Sequence, residues 1–202
     1  MIHLVGPGGA GKSTAGLALA TRLGVQFVDL DQQFTARAGD ISVYLADHGY
    51  DGYAAQNIQV YLETLGSLRA DAVIAVSSGF MTYGDHAHPA YRGLRRDIVH
   101  SRSTVVLLPF FDHDTCVDET VRRQLKRPFS RSPEREEQVI RARIGVHWEL
   151  PAKKFETGWP VEAVVDNLAG YLLPNIRLQP DGIRRDHGPC GCSGTLADEG
   201  ND

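Results

Sequence analysis

Nine consecutive residues near the amino terminus, Gly6-Pro7-Gly8-Gly9-Ala10-Gly11-Lys12-Ser13-Thr14, constrain the fold more than anything else in the chain. They fit the pattern G-x-x-x-x-G-K-[ST]. Glycines let the backbone turn tightly, so successive N–H groups converge on phosphate oxygens. A helix that follows points its positive end at the same place. Lys12 reaches the β- and γ-phosphates as a point charge, and the Ser13 hydroxyl can ligate magnesium. The cradle so defined is Gly8, Gly9, Ala10, Gly11, Lys12, Ser13 and Thr14, and it fits ATP with Mg2+. Such a cradle needs a strand before it and a helix after it. Ile2–Val5 is a short apolar run stopped by the glycines, which reads as a buried strand. Lys12–Leu23 reads as the helix, with Leu17, Ala18, Ala20 and Leu23 as its buried face and Gly24 at its end.

The same alternation continues. Val25–Val28 is a second strand, ending at Asp29-Leu30-Asp31. Helices are expected over Gln33–Ala46 and Tyr53–Arg69. Ala72–Val76 is a third strand, ending at Ser77-Ser78-Gly79. Pro89–Val99 reads as a helix, Thr104–Leu108 as a fourth strand, and His113–Arg123 as a helix. Ser132-Pro133-Glu134 opens another helix, with a serine cap, a first-turn proline and an acidic residue suited to the dipole. Lys154–Glu156 is a short fifth strand and Val161–Leu172 the last helix. Strands alternating with helices imply an α/β fold, a mostly parallel sheet covered on both faces.

Between these elements, Leu125–Ser132 is polar and basic and reads as a mobile loop. From Pro174 onward the composition turns to proline, glycine and charge. Residues 1–173 are therefore expected to form one domain, with 174–202 a flexible tail.

Composition narrows the functional classes. The 202 residues are 42% hydrophobic and 23% charged, ordinary for a globular domain. A formal net charge of −4 gives the chain as a whole no basic footprint for nucleic acid. No apolar run approaches the roughly 20 residues that span a bilayer, and Met1–Val5 runs straight into the glycine loop with no signal peptide. Three cysteines, an odd number, do not suggest a disulfide framework. A cytoplasmic protein, monomeric or weakly dimeric, is expected.

Asp29 and Asp31 stand at the carboxyl end of the second strand, the edge where an open α/β sheet binds ligands. Spacing i, i+2 puts both on one side of an extended segment. One of the pair can hold magnesium-bound water and the other can accept a hydroxyl proton; the blander reading is a turn or a helix cap.

Here the chain resembles the shikimate kinase family, from Ile2 to about Leu173. The similarity is strongest at Gly6–Thr14, at Phe27-Val28-Asp29-Leu30-Asp31 and at Lys126-Arg127-Pro128. The resemblance implies a three-layer P-loop fold with strand order 2-3-1-4-5. It implies transfer of the ATP γ-phosphate to a hydroxyl of a small metabolite. It assigns magnesium to Ser13 and Asp29, and acceptor binding, with a possible base role, to Asp31. It places Arg127 in a lid over about 122–133, and Arg123 or its neighbour Arg122 beside the nucleotide. Arg122, Arg123, Lys126, Arg127 and Arg131 make this stretch densely basic, suited to neutralising charge on a transferring phosphoryl group.

The chain departs from the family around the acceptor. Three glycines are usual after the third strand, where Ser77, Ser78 and Gly79 stand. Two arginines that grip the acceptor carboxylate fall near Ala54 and His147. Losing two bidentate donors makes shikimate an expected poor substrate unless Arg141 or Arg143 compensates. The acceptor contacts are expected at Asp31, Ser78, Gly79 and His147. Alternative readings are a kinase resembling nucleoside monophosphate or gluconate kinases, and a switch module that hydrolyses ATP slowly.

Other groups carry weaker signals. Asp85-His86-Ala87-His88 and Asp112-His113-Asp114 match no metal-ligand spacing and read as surface or cap residues. Cys190, Cys192 and His187 are too few for a closed metal site. Trp148 and Trp159 read as core or nucleotide-edge packing.

Overall fold

The first strand, β1 (Ile2–Val5), is buried at every position. That follows from its place in the middle of a parallel sheet, where both faces are covered. A computed structural model describes residues 1–126 and 132–175. Arg127, Pro128, Arg131 and most of the expected tail, with Cys190 and Cys192, lie outside the described residues.

The elements follow in the order α1 (Lys12–Leu23), β2 (Gln26–Asp29), α2 (Leu30–Ala38), α3 (Ile41–Ser67) and β3 (Ala72–Ala75). Then come α4 (Tyr91–His100), β4 (Thr104–Leu108), α5 (His113–Gln124), α6 (Pro133–Glu149), β5 (Lys153–Glu156) and α7 (Val161–Leu172). The five strands pair in parallel in the order β2-β3-β1-β4-β5. Leu4 sits opposite Ala75 on one side and Val105 on the other.

Alternation along the strands builds two cores. Ile2, Leu4, Val73, Val105 and Leu107 face α1 and α7, meeting Leu19 and Leu168. Val5, Val28, Ile74, Val106 and Leu108 face the other helices, meeting Ile58, Tyr61, Val117 and Ile144. Each fully buried side chain of this size contributes about 1.5–3 kcal/mol. Among the described residues no helix is long and apolar enough to cross a membrane.

Three boundaries differ from expectation, each for a local reason. The buried face of α1 is Ala15, Gly16, Leu19 and Ala20, while Leu17 is exposed. A Cβ on Gly16 would lie 2.5 Å from the Phe27 ring, so the helix comes closest to the sheet at that residue and turns Leu17 outward. The helix expected over Gln33–Ala46 is interrupted. It stops at Gly39, with φ 85°, and α3 restarts under the carboxylate of Asp40, which accepts from Ser42 and Val43 N–H. Within α3 the chain bends again at Gly49, where φ is 69° and ψ 179°, so the helix expected from Tyr53 starts earlier. The serine cap of α6 is present: Ser132 Oγ accepts from Arg135 N–H.

Candidate active site

The glycine loop connects β1 to α1 at the carboxyl edge of the sheet, where β1 lies between β3 and β4. That edge is the ligand-binding position of an open parallel sheet. Gly9 and Gly11 take φ of 81° and 87°, left-handed values that suit glycine. The loop is tied down from behind. Thr157, just past β5, donates its N–H to the Leu108 carbonyl at 2.8 Å and its hydroxyl to the Ala10 carbonyl at 2.8 Å. Lys12 Nζ donates to the carbonyls of Gly6 and Pro7 at 2.8 and 2.9 Å, which folds the ammonium back over its own loop.

Asp29 and Asp31 do not share one side of an extended segment. Because α2 begins at Leu30, the two carboxylates diverge. Asp29 ends β2 and caps α2, its Oδ1 accepting from Asp31 N–H at 3.0 Å and its Oδ2 from the Ser13 hydroxyl at 2.5 Å. The cap reading and the site reading therefore hold for the same residue. Asp31, one turn on, accepts from the Ser77 hydroxyl at 2.5 Å.

Three spaces meet along the loop. A narrow cleft is lined by Gly8, Gly11, Lys12, Ser13, Asp29 and Ser78. On one side a cavity of about 510 Å³ is lined by Asp31, Tyr50, Tyr53, Ser78, Gly79 and Arg143, among others. On the other side a groove of about 360 Å³ is lined by Gly9, Gly11, Thr14, Arg123, Thr157 and Trp159, among others. Gly8, Asp31 and Ser78 border both cleft and cavity, and Gly9 and Gly11 border both cleft and groove. Phosphates fit the narrow middle, a nucleoside the groove, and a second small molecule the cavity.

Arg123 rather than Arg122 faces the loop. Its guanidinium donates to the Gly9 and Thr157 carbonyls at 3.4 and 3.1 Å. Glu119 holds both arginines, and the Arg122 and Arg123 hydrogen bonds lower its carboxyl to about 2. Trp159 is 61% exposed over the groove, whereas Trp148 packs against the core.

Of the residues weighed for the acceptor, Arg143 lines the cavity and stacks 5.2 Å over the Tyr50 ring. Arg141 points elsewhere, bound to Glu137 and Asp114. His147 is fully buried one turn beyond Arg143 and donates or accepts at the Arg143 carbonyl, 3.1 Å from Nδ1. Its Nε2 approaches the Ser78 main chain without closing a hydrogen bond. Burial, with Lys12 nearby, lowers its imidazole to about 4. At neutral pH His147 is therefore uncharged and cannot replace an arginine; Arg143 supplies the cation instead. Ala54 is buried beneath the cavity wall.

Tyr50, Tyr53 and Thr157 went unseen in the sequence, which offers no motif for them; the bend at Gly49 is what presents the first. The histidine clusters are local. Asp112 caps α5 through Thr115, and His88 accepts from Ala90 N–H. Among the described residues no group of three or more His, Cys, Asp or Glu could hold a metal ion.

This fold and this row of three spaces define a P-loop kinase of small molecules. The shikimate kinase family model matches residues 8–144, and the chain belongs to that family. A shikimate kinase of Legionella pneumophila is 31% identical over 180 residues, covering 87% of this chain and 95% of that protein. One from Histophilus somni is 32% identical over 143 residues, covering 69% and 73%. The solved shikimate kinase of Acinetobacter baumannii in complex with shikimate superposes with a TM-score of 0.67. It covers 86% of this chain and 93% of that one at 24% identity, which speaks for the fold alone. The chain is an ATP-dependent phosphotransferase acting on a hydroxyl group of a small metabolite.

Proposed function

We propose that the acceptor is shikimate or another hydroxylated ring acid of its size, held by one arginine, Arg143. The observation that carries this reading is the position of Arg143 in the cavity that also opens on Asp31. The guanidinium suits a carboxylate, and Asp31 borders the phosphate cleft where the hydroxyl must arrive. The Acinetobacter baumannii enzyme binds shikimate, which supports the choice. A slot for a flat nucleobase is not favoured, because Arg143 already covers a face of Tyr50.

In the reaction so proposed, the acceptor oxygen forms a bond to the γ-phosphorus as the bond to the β,γ-bridging oxygen breaks, and ADP leaves with that electron pair. Asp31 orients the acceptor hydroxyl and takes its proton. Lys12 swings from the Gly6 and Pro7 carbonyls to the phosphates. The nucleoside occupies the groove between Arg123 and Trp159. Arg127, outside the described residues, adds positive charge over the phosphates by resemblance. The Ser13 hydroxyl beside the Asp29 carboxylate is an all-oxygen donor set that suits magnesium. Bound there, the ion would neutralise phosphate charge. With a net charge of −4 and no described membrane-spanning helix, the setting we assign is the cytoplasm, without nucleic-acid or membrane partners.

Steady-state kinetics with ATP, shikimate and a panel of hydroxylated acids, sugars and nucleosides test the reading. Shikimate turnover with a Michaelis constant near or above about 1 mM is expected, at the weak end of ordinary values, because Ala54 offers no second cation. Turnover confined to nucleosides or neutral sugars would overturn it.

A further inference from the structure

Asp31 is engaged on one oxygen. Its Oδ1 accepts from Ser77 Oγ at 2.5 Å, and among the described residues no hydrogen bond reaches Oδ2. Behind Ser77 stands a line of neutral groups. Asn57 Nδ2 lies 3.1 Å from Ser77 Oγ, and Asn57 Oδ1 lies 3.1 Å from the Tyr83 hydroxyl. Asn57 is fully buried, and Ser77 and Tyr83 nearly so.

The direction of every bond in this line follows from the charge at its end. A carboxylate only accepts, so the single Ser77 proton must go to Asp31. Ser77 must then receive from the Asn57 amide NH2. That turns the Asn57 carbonyl toward Tyr83, which must donate. Reversing the amide would leave two acceptors facing each other at Ser77 and its proton withdrawn from Asp31. A buried network with every member paired is rigid, and a half-paired one is costly. The three groups come from α3, from the turn after β3 and from the segment before α4, so the line ties separate elements to one carboxylate. Ser77 stands where the family resemblance expects a glycine, which has no hydroxyl to offer.

We propose that Ser77, backed by Asn57 and Tyr83, is a positioning residue for phosphoryl transfer. It pins Asp31 through Oδ1 and leaves Oδ2 as the oxygen that meets the acceptor hydroxyl and takes its proton. This inference rests on the role given to Asp31 above.

The test is a set of variants assayed with ATP and shikimate, or with whichever panel acceptor is turned over. Ser77→Ala is expected to lower kcat about 10- to 100-fold, the value of one hydrogen bond to a charged group. The Michaelis constant for ATP stays unchanged. Ser77→Thr, which keeps the hydroxyl, restores most of the rate. In an Asp31→Ala background Ser77→Ala costs nothing further, because Ser77 acts only through Asp31. Chemical denaturation reads the same cycle without any acceptor, and non-additive stabilities are expected there too. If Ser77→Ala folds poorly, Tyr83→Phe removes only the last hydroxyl of the line and gives a smaller loss in kcat. Additive effects in either cycle, or wild-type turnover in Ser77→Ala when Asp31→Ala is inactive, would overturn the inference alone. Wild-type turnover in Asp31→Ala would overturn the reading beneath it.

Discussion

Lys12 shows how far one side chain can be read from either end of the argument. In the sequence it is the cation of a phosphate cradle; in the structure it rests on two carbonyls of its own loop at 2.8 and 2.9 Å. Neither contact joins it to the cores, so its role is charge. Lys12→Ala is expected to lower kcat by about 10²–10³, the usual loss for one electrostatic contact to a transition state. Circular dichroism and melting temperature should stay close to wild type; full activity in a folded variant would remove Lys12 from the chemistry. Arg143 makes a different prediction. It touches the acceptor side and not the groove, so Arg143→Ala should raise the acceptor Michaelis constant and leave that for ATP alone. One lost charge-assisted pair is worth about 1.5–3 kcal/mol, roughly 10- to 150-fold. Arg143→Lys should recover only part, since an ammonium cannot reproduce the planar fork. Equal changes in both Michaelis constants would mean that Arg143 shapes the whole site.

Among the elements, α3 decides the shape of the acceptor cavity. Its bend at Gly49, with φ 69° and ψ 179°, lies in a region that side-chain-bearing residues avoid. The next residue, Tyr50, is the one on which Arg143 stacks. Open space surrounds the position of a Gly49 Cβ, so a substitution there meets backbone strain and no clash. Gly49→Ala is expected to cost about 1–3 kcal/mol of stability and, by shifting Tyr50, to raise the acceptor Michaelis constant more than that for ATP. Urea denaturation and kinetics check both; an unchanged stability would show that the bend relaxes freely. This bend marks the boundary of what the sequence makes legible. The sheet, its order and the phosphate cradle were readable because a strand, a glycine loop and a helix carry their patterns within a few residues. The Asp29–Ser13 pair followed from resemblance and edge position. Arg143 was a named alternative to His147, and only the helix phase of α6 separates the one in the cavity from the one in the core. Tyr50 and Asn57 carry no local signal, since their use depends on where α3 bends and what it packs against.

Across the whole molecule, two buried histidines set the response to acid. His3 lies in β1 with its Nε2 at 2.9 Å from the Tyr61 hydroxyl, and His147 lies in the core beside Arg143. Burial lowers both from 6.5 to about 4, with the amino-terminal charge adding to the effect on His3 and Lys12 to that on His147. The folded state therefore refuses protons that the unfolded chain accepts between about pH 6.5 and 4. Where the unfolded state binds more protons, stability rises with pH. The contribution is complete above 6.5 and is lost as pH falls toward 4. At about 1.4 kcal/mol per pH unit, each histidine withdraws up to about 3 kcal/mol, a large part of the 5–15 kcal/mol typical of a domain. Glu119 acts in a lower window. Its carboxyl, lowered from 4.5 to about 2 by the two arginines, supports the fold above 4.5 and stops doing so as pH falls toward 2. The melting temperature should thus decline from pH 7 to pH 4, before Glu119 takes part, and decline further below. His147→Gln removes one titrating group from the upper window. Whatever it does to stability at pH 7, it should flatten the slope between 6.5 and 4 and leave the slope below 4 unchanged. Melting curves at half-unit intervals decide it: an equal slope in the variant would mean that His147 protonates as easily in the folded chain as in the unfolded one, and that its burial beside the acceptor cavity opens readily to water.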